Sequence, residues 1–249
     1  MEKRAILITG GSRGIGRAVA LGAAARGWPV ALSWHSDRAA ADETVEQIVA
    51  LDGQAVAIRA DVAVEGDVVA LFEQAEAALG RLDAVVVNAG IVAPSMPLAE
   101  MSLDRMRAVI DTNLLGALLC AREAARRLPR PVEEPAAALV LVSSIAAKLG
   151  SPYEYVDYAA TKGAVDTLTI GLAKELAGQN IRVNAVRPGL IDTAIHASGG
   201  RPGRARELAH LVPMQRPGTP EEVAEAILWL AGGAASYASG AILDIGGGR

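Results

Sequence analysis

Seven short runs of aliphatic and β-branched residues recur along the chain, separated by alanine-rich stretches with helical patterning. The runs are AILIT (5–9), VALSW (30–34), AVAIRA (55–60), AVVVN (84–88), ALVLVS (138–143), RVNAVR (182–187) and AILDI (241–245). Strands that are apolar almost throughout are buried on both faces, so helices must cover both sides of the sheet they form. Helices are predicted near 14–26, 38–51, 65–79, 102–127, 156–178 and 220–231. The alternation predicts an α/β, doubly wound, seven-stranded, mostly parallel sheet with helices on both faces. With 249 residues, 51% of them hydrophobic, the chain can bury one large core, and a single domain over 1–249 is expected.

Two segments break the alternation. PRPVEEPA (129–136) carries three prolines and two glutamates and reads as a solvated connection. Residues 191–218 are too many for an ordinary loop between a strand and a helix, and they mix glycine hinges with an amphipathic patch, the make-up of a substrate lid. Charge is balanced, with 24 basic and 28 acidic residues and a net charge of -4, and no basic block offers a nucleic-acid surface. The single cysteine, Cys120, lies in a helical apolar pattern and reads as a packing residue. No apolar run has the form of a leader or a membrane span, so a soluble, cytoplasmic protein without a membrane partner is expected.

Directly after the first strand comes TGGSRGIG, Thr9 to Gly16, which leads into a helix. Glycines let the backbone turn tightly and admit a phosphate where a side chain would collide, and the helix start offers unpaired N–H groups to an anion. The pyrophosphate of a dinucleotide fits there, the other reading being a plain tight turn from strand to helix. Further along lie VNAG (87–90), TN (112–113), VSS (142–144), YAATK (158–162) and RPGLIDT (187–193). The glycine spacing at 10, 14 and 16, and these motifs in this order, resemble the short-chain dehydrogenase/reductase family, including its 3-oxoacyl-acyl-carrier-protein reductase and glucose 1-dehydrogenase members. The resemblance covers nearly the whole chain and implies a Rossmann-type fold. It also implies an NAD(P)-dependent enzyme that interconverts a carbonyl and a secondary alcohol, acting on a small molecule by hydride transfer.

Tyr158 and Lys162 stand four residues apart on a predicted helix and so share a face. An ammonium near a phenol favours the phenolate and draws its pKa down from ~10 toward the working pH, where a proton donor is most effective. Ser144, at a strand end, is placed to hydrogen-bond the substrate oxygen as charge develops. Ser144 is chosen by its VSS context, because the stretch up to Tyr158 is a residue longer than in many relatives. That stretch also holds Tyr153 and Tyr155, neither of which has a lysine four residues on. The resemblance implies that Lys162 and Tyr158 also hold the nicotinamide ribose and that Asn113 anchors a water that passes protons to solvent.

For the cofactor, Gly10, Ser12, Arg13, Gly14, Ile15 and Gly16 form the phosphate turn. By resemblance, Asp61 and Val62 flank the adenine, Asn88, Ala89 and Gly90 line the ribose side, and Pro188, Gly189, Ile191 and Thr193 close over the nicotinamide. NAD-using relatives place an acid at the end of the second strand; here Trp34 stands in that position, followed by His35, Ser36, Asp37 and Arg38. Asp37 reads as a helix cap. Arg13, with His35 and Ser36, favours NADP(H) over NAD(H).

The histidines, His35, His196 and His210, have no metal-ligand spacing, so no metal is expected. Arg201, Arg204 and Arg206 in the lid read as solvated cations, with recognition of an anionic substrate as the other reading. Two competing functions use a similar fold: a non-catalytic dinucleotide sensor, which would not need the Ser144, Tyr158 and Lys162 set, and a methyltransferase, which would leave that set unexplained. Alanine- and leucine-rich surfaces near 102–127 and 156–178 suit self-association. The resemblance implies a homotetramer through these helices, with a dimer as the fallback.

Overall fold

The computed structural model describes residues 4–193, 199–201 and 203–249. Each predicted run becomes a strand: β1 Ile6–Ile8, β2 Val30–Trp34, β3 Ala55–Arg59, β4 Ala84–Val87, β5 Ala137–Val142, β6 Ile181–Pro188 and β7 Ile242–Ile245. They form one sheet in the order β3-β2-β1-β4-β5-β6-β7, and every neighbouring pair is parallel. The strand order reverses between β1 and β4. A crevice opens there at the carboxyl ends of the strands, where doubly wound sheets bind ligands.

The helices are α1 Gly14–Ala25, α2 Arg38–Val49, α3 Glu65–Leu79, α4 Leu103–Ile110, α5 Gly116–Arg127, α6 Ala146–Leu149, α7 Val156–Glu175, α8 Arg204–Glu207 and α9 Pro220–Ala231. Side chains alternate across the strands, so each strand feeds two cores. Ile6, Ile8, Val86 and Val140 pack with Val19 and Ala23 of α1, Ile48 of α2 and Ile227 of α9. Leu7, Val85, Leu139 and Val183 face the other way, onto Phe72 of α3, Cys120 of α5 and Val165 of α7. Cys120 is fully buried, and burial pushes its thiol up to about 12, which keeps it protonated and fits packing rather than nucleophilic chemistry.

Local signals fix several helix starts. The Asp37 side chain accepts from the Ala40 N–H and caps α2, the role read from sequence. Ser102 caps α4, and Thr219 with Glu222 makes a reciprocal capping box behind Pro220.

Three expectations need correction. The helix foreseen over 102–127 is broken by a π-helical segment, Asp111–Leu115, between α4 and α5. The helix foreseen to 178 stops at Glu175 and continues as a 3-10 turn, Ala177–Gln179. The connection 129–136 is anchored: Arg130 is buried, bonded to Asp83 at 2.9 Å and to the Leu82 carbonyl at 2.7 Å. Asn180 Nδ2 also donates to the carbonyls of Pro131 and Glu134. The proline-rich chain is therefore held to the base of the sheet, which its composition did not reveal.

Candidate active site

The glycine turn is held in shape by its neighbour across the crevice. Thr9 Oγ1 accepts the N–H groups of Asn88 and Ala89 at 2.9 and 3.0 Å. Asn88 Nδ2 donates in return to the carbonyls of Thr9 and Gly10 at 2.9 and 3.0 Å. Gly10 and Gly14 adopt φ of +65° and +55°, and a Cβ on Gly16 would lie 2.2 Å from the Gly10 oxygen. Gly16 thus lets α1 begin directly beneath the turn. The start of α1 has no side-chain cap, so its N–H groups remain available to an oxyanion. Ser12 is buried, and its carbonyl accepts from Thr44 Oγ1.

Other residues foreseen for the cofactor lie on the turn and beyond the ends of β2 and β3. Arg13 is exposed, and its side chain makes no hydrogen bond or ion pair among the described residues. His35 and Ser36 are exposed beyond β2, with His35 Nε2 3.6 Å from Asp61 Oδ2. Arg38 pairs with Asp42. Asp61 Oδ1 accepts from the Ala63 N–H, and Val62 is buried against Gly116. Across the crevice, a Cβ on Gly14 would lie 3.6 Å from Thr193, so the turn and the segment after β6 form facing walls.

Between these walls lies a cleft of about 250 Å³, lined by Ile15, Asn88, Gly90, Ser144, Tyr158, Lys162, Pro188, Gly189, Ile191 and Thr193 among others. Ser144, Tyr158 and Lys162, from two elements, share it with predicted cofactor residues from three more. Lys162 is buried, its Nζ donating to the Val142 carbonyl at 2.7 Å and lying 5.6 Å from the Tyr158 ring centre. Ser143 Oγ donates to the Lys162 carbonyl and ties the end of β5 to α7. The Asn113 side chain, in the π segment, bonds both backbone groups of Ile91, at 2.7 and 2.8 Å. A Cβ on Gly90 would approach Asn113 Oδ1 at 3.2 Å and Lys162 Nζ at 3.7 Å, so Gly90 allows these two groups to draw near.

A family model described as Enoyl-(Acyl carrier protein) reductase matches residues 10–249. The uncharacterized oxidoreductase YgfF of Escherichia coli (strain K12) is 47% identical over 243 residues, 98% of either chain. Among solved structures, a 3-ketoacyl-(acyl-carrier-protein) reductase from Brucella melitensis, complexed with NADH, is 30% identical with a TM-score of 0.90, covering 100% of this chain and 98% of that one. A short chain dehydrogenase from Burkholderia cenocepacia J2315, in complex with NADP, is 32% identical with a TM-score of 0.90, covering 99% and 97%. The chain belongs to the short-chain dehydrogenase/reductase family. It is an oxidoreductase.

The electrostatics of this short-chain dehydrogenase/reductase differ from the sequence argument in one respect. Burial raises the Tyr158 phenol above its ordinary pKa; a hydrogen bond with the Ser144 side chain acts the other way, and Tyr155 adds to the rise. Burial also lowers Lys162 to about 8, against the opposing pull of Asp166. The simple picture, in which the ammonium draws the phenol down, loses to desolvation of both groups. The lysine is buried against the ring and held by a backbone carbonyl, and the tyrosine keeps its proton.

One of the three lid arginines, Arg204, also departs from expectation. Residues 194–198, including His196, and residue 202 lie outside the described residues. The ends of the remaining segment meet: Ile191 bridges Gly218, and the Asp192 N–H donates to the Gly218 carbonyl at 2.9 Å. Arg206 is exposed, as foreseen, 3.4 Å from Asp192. Arg204 turns inward instead, bonding Glu154 at 2.5 Å, with its guanidinium carbon 5.2 Å from the Tyr155 ring centre. Arg201 pairs with Glu207 and Glu154. Tyr155 is buried edge-on to Tyr158, whereas Tyr153 is 82% exposed.

Sequence reasoning missed an ion pair beside the tyrosine. Arg105 bonds the Asp157 carboxylate with Nε at 3.0 Å and Nη2 at 3.4 Å and also donates to the Pro94 carbonyl. Asp157 Oδ1 accepts from the Tyr158 N–H at 2.9 Å. A separation of 52 residues left no local signal for this pair.

Proposed function

We propose that the enzyme reduces a small-molecule carbonyl to a secondary alcohol, and runs the reverse, with NADP(H) preferred, using Ser144, Tyr158, Lys162 and Asn113. The observation that carries this reading is the meeting of Ser144, Tyr158 and Lys162 in one cleft beside the glycine turn.

A dinucleotide suits the residues present. Gly10, Ser12, Gly14, Ile15 and Gly16 would take its pyrophosphate at the uncapped start of α1, and Asp61 and Val62 its adenine. Asn88, Ala89, Gly90, Tyr158 and Lys162 would hold the nicotinamide ribose, and Pro188, Gly189, Ile191 and Thr193 the nicotinamide. When bound, it supplies or accepts the hydride. In reduction, Tyr158, kept protonated by burial, donates its proton to the substrate oxygen, while the Ser144 hydroxyl donates a hydrogen bond to the same oxygen. Lys162, held by the Val142 carbonyl, stands beside the phenolate left behind. Asn113 fixes Ile91 next to Gly90 and Lys162, at the point where resemblance places the proton path to solvent.

The NADP(H) preference rests on Trp34 in place of an acid and on Arg13 being free to meet a phosphate, with His35 and Ser36 nearby. Arg13→Ala should raise the KM for NADPH by about tenfold or more, the worth of one charge-assisted hydrogen bond, and leave NADH within about twofold. A panel of ketones, aldehydes, sugars and acyl thioesters, followed by NADPH consumption and repeated with NADH, tests the whole reading. Absence of turnover across the panel, with dinucleotide binding intact, would favour the sensor instead. We also propose a cytoplasmic homotetramer. Leu103, Ile110, Leu115, Leu118 and Ile170 are exposed on the helices thought to pair, and no described helix is long and apolar enough to cross a membrane.

A further inference from the structure

Of the three lid arginines, Arg204 is the one that lines the cleft, and its bonding is incomplete. Nη2 bonds Glu154 Oε2 at 2.5 Å, and the guanidinium lies over Tyr155, whose ring stands edge-on to Tyr158 at 6.4 Å. The Nε of Arg204 is buried without a hydrogen-bond partner. A buried donor left unpaired is costly, and the cost is removed when a ligand brings an acceptor to it. Leu149, Pro152 and Leu190 line the same cleft as Arg204, Ser144 and Tyr158 and give it apolar surface.

Charge decides what kind of acceptor fits. Glu154 faces both Arg204 and Arg201, and Arg201 also pairs with Glu207, so two arginines are balanced by two glutamates. An incoming carboxylate would meet Glu154 as well as Arg204 and gain little. A neutral oxygen suffers no such repulsion. We propose that Arg204 determines specificity by donating through Nε to a neutral ether, ester or carbonyl oxygen, carried on an apolar chain remote from the carbonyl that is reduced. This rests on the carbonyl-reductase reading above and adds the substrate class to it.

The test uses the whole enzyme with NADPH and straight-chain methyl ketones from pentanone to nonanone, each compared with its terminal methoxy and terminal carboxylate counterparts. At one chain length the methoxy ketone should exceed its parent in kcat/KM by about tenfold or more, because a site built to bond an oxygen discriminates against its absence. That ratio should fall to about one in Arg204→Met and also in Arg204→Lys, which keeps a charge for Glu154 but lacks the Nε donor. Thermal unfolding of both variants checks that they fold, and the lysine variant keeps the test informative should the methionine variant not. A methoxy advantage absent at every length, an advantage kept in a folded variant, or a carboxylate preferred over the methoxy group would overturn the inference and leave carbonyl reduction standing. Failure to reduce any ketone or any other carbonyl of the wider panel would remove both.

Discussion

Tyr158 and Lys162 depart from their ordinary ionisation for the same reason, loss of water, and the consequences have opposite signs. For Tyr158 the proton is held more tightly than in water. Ultraviolet absorbance of the free enzyme, compared with Tyr158→Phe, should show this phenolate appearing only above pH ~10, the ordinary phenol value; its appearance near neutrality would contradict the burial argument. For Lys162 the folded pKa of about 8 lies below the ordinary 10.5. Below the folded value both states carry the proton, and the penalty of a buried charge is present in full. As pH rises between the two values the native state sheds its proton while the unfolded chain keeps it, so stability increases. Relative to Lys162→Met, the wild type should gain about 2 kcal/mol between pH ~7 and pH ~9.5, at about 1.4 kcal/mol per unit of pH above the folded value. Urea unfolding across that range measures it, and a flat difference would show that the lysine is not desolvated.

Among the elements, α4, the loop before it and the start of α7 are joined by Arg105. Its side chain and that of Asp157 are 9% and 4% exposed, so removing one partner strands a buried charge. Arg105→Met should cost about 3 kcal/mol or more in urea unfolding, and adding Asp157→Asn should recover part of the loss, since no unpaired charge then remains. An Arg105→Met cost below about 1 kcal/mol would mean that the pair is solvated in practice. Strands β1 to β7 and helices α1 to α3 and α9 were legible because their patterns are local: apolar runs, alanine periodicity, and a cap at Asp37. The glycine turn and the Tyr158–Lys162 spacing were legible for the same reason. The π segment was not, because one extra residue per turn at Asp111–Leu115 leaves the helical composition unchanged. The Arg105 clamp and the inward turn of Arg204 depend on chain segments about fifty residues apart, and the direction of the Tyr158 shift depends on burial depth that no spacing encodes.

At the scale of the molecule, a fully parallel sheet with helices on both faces brings the glycine turn, the ends of β4 to β6 and the start of α7 to one crevice. That convergence makes the proposed chemistry possible, and it also exposes apolar helix faces on α4, α5 and α7 that a tetramer would cover. Light scattering should return four times the 25.6 kDa of one chain; a monomer would leave Leu115 and Leu118 unexplained.

The account depends on the phenol of Tyr158 as the proton donor. Tyr158→Phe, assayed with NADPH on a carbonyl the wild type reduces, should lose about a thousandfold in kcat, within the range of general acid catalysis, while the Kd for NADPH stays within about threefold. Reduction by this variant at close to the wild-type rate would contradict it.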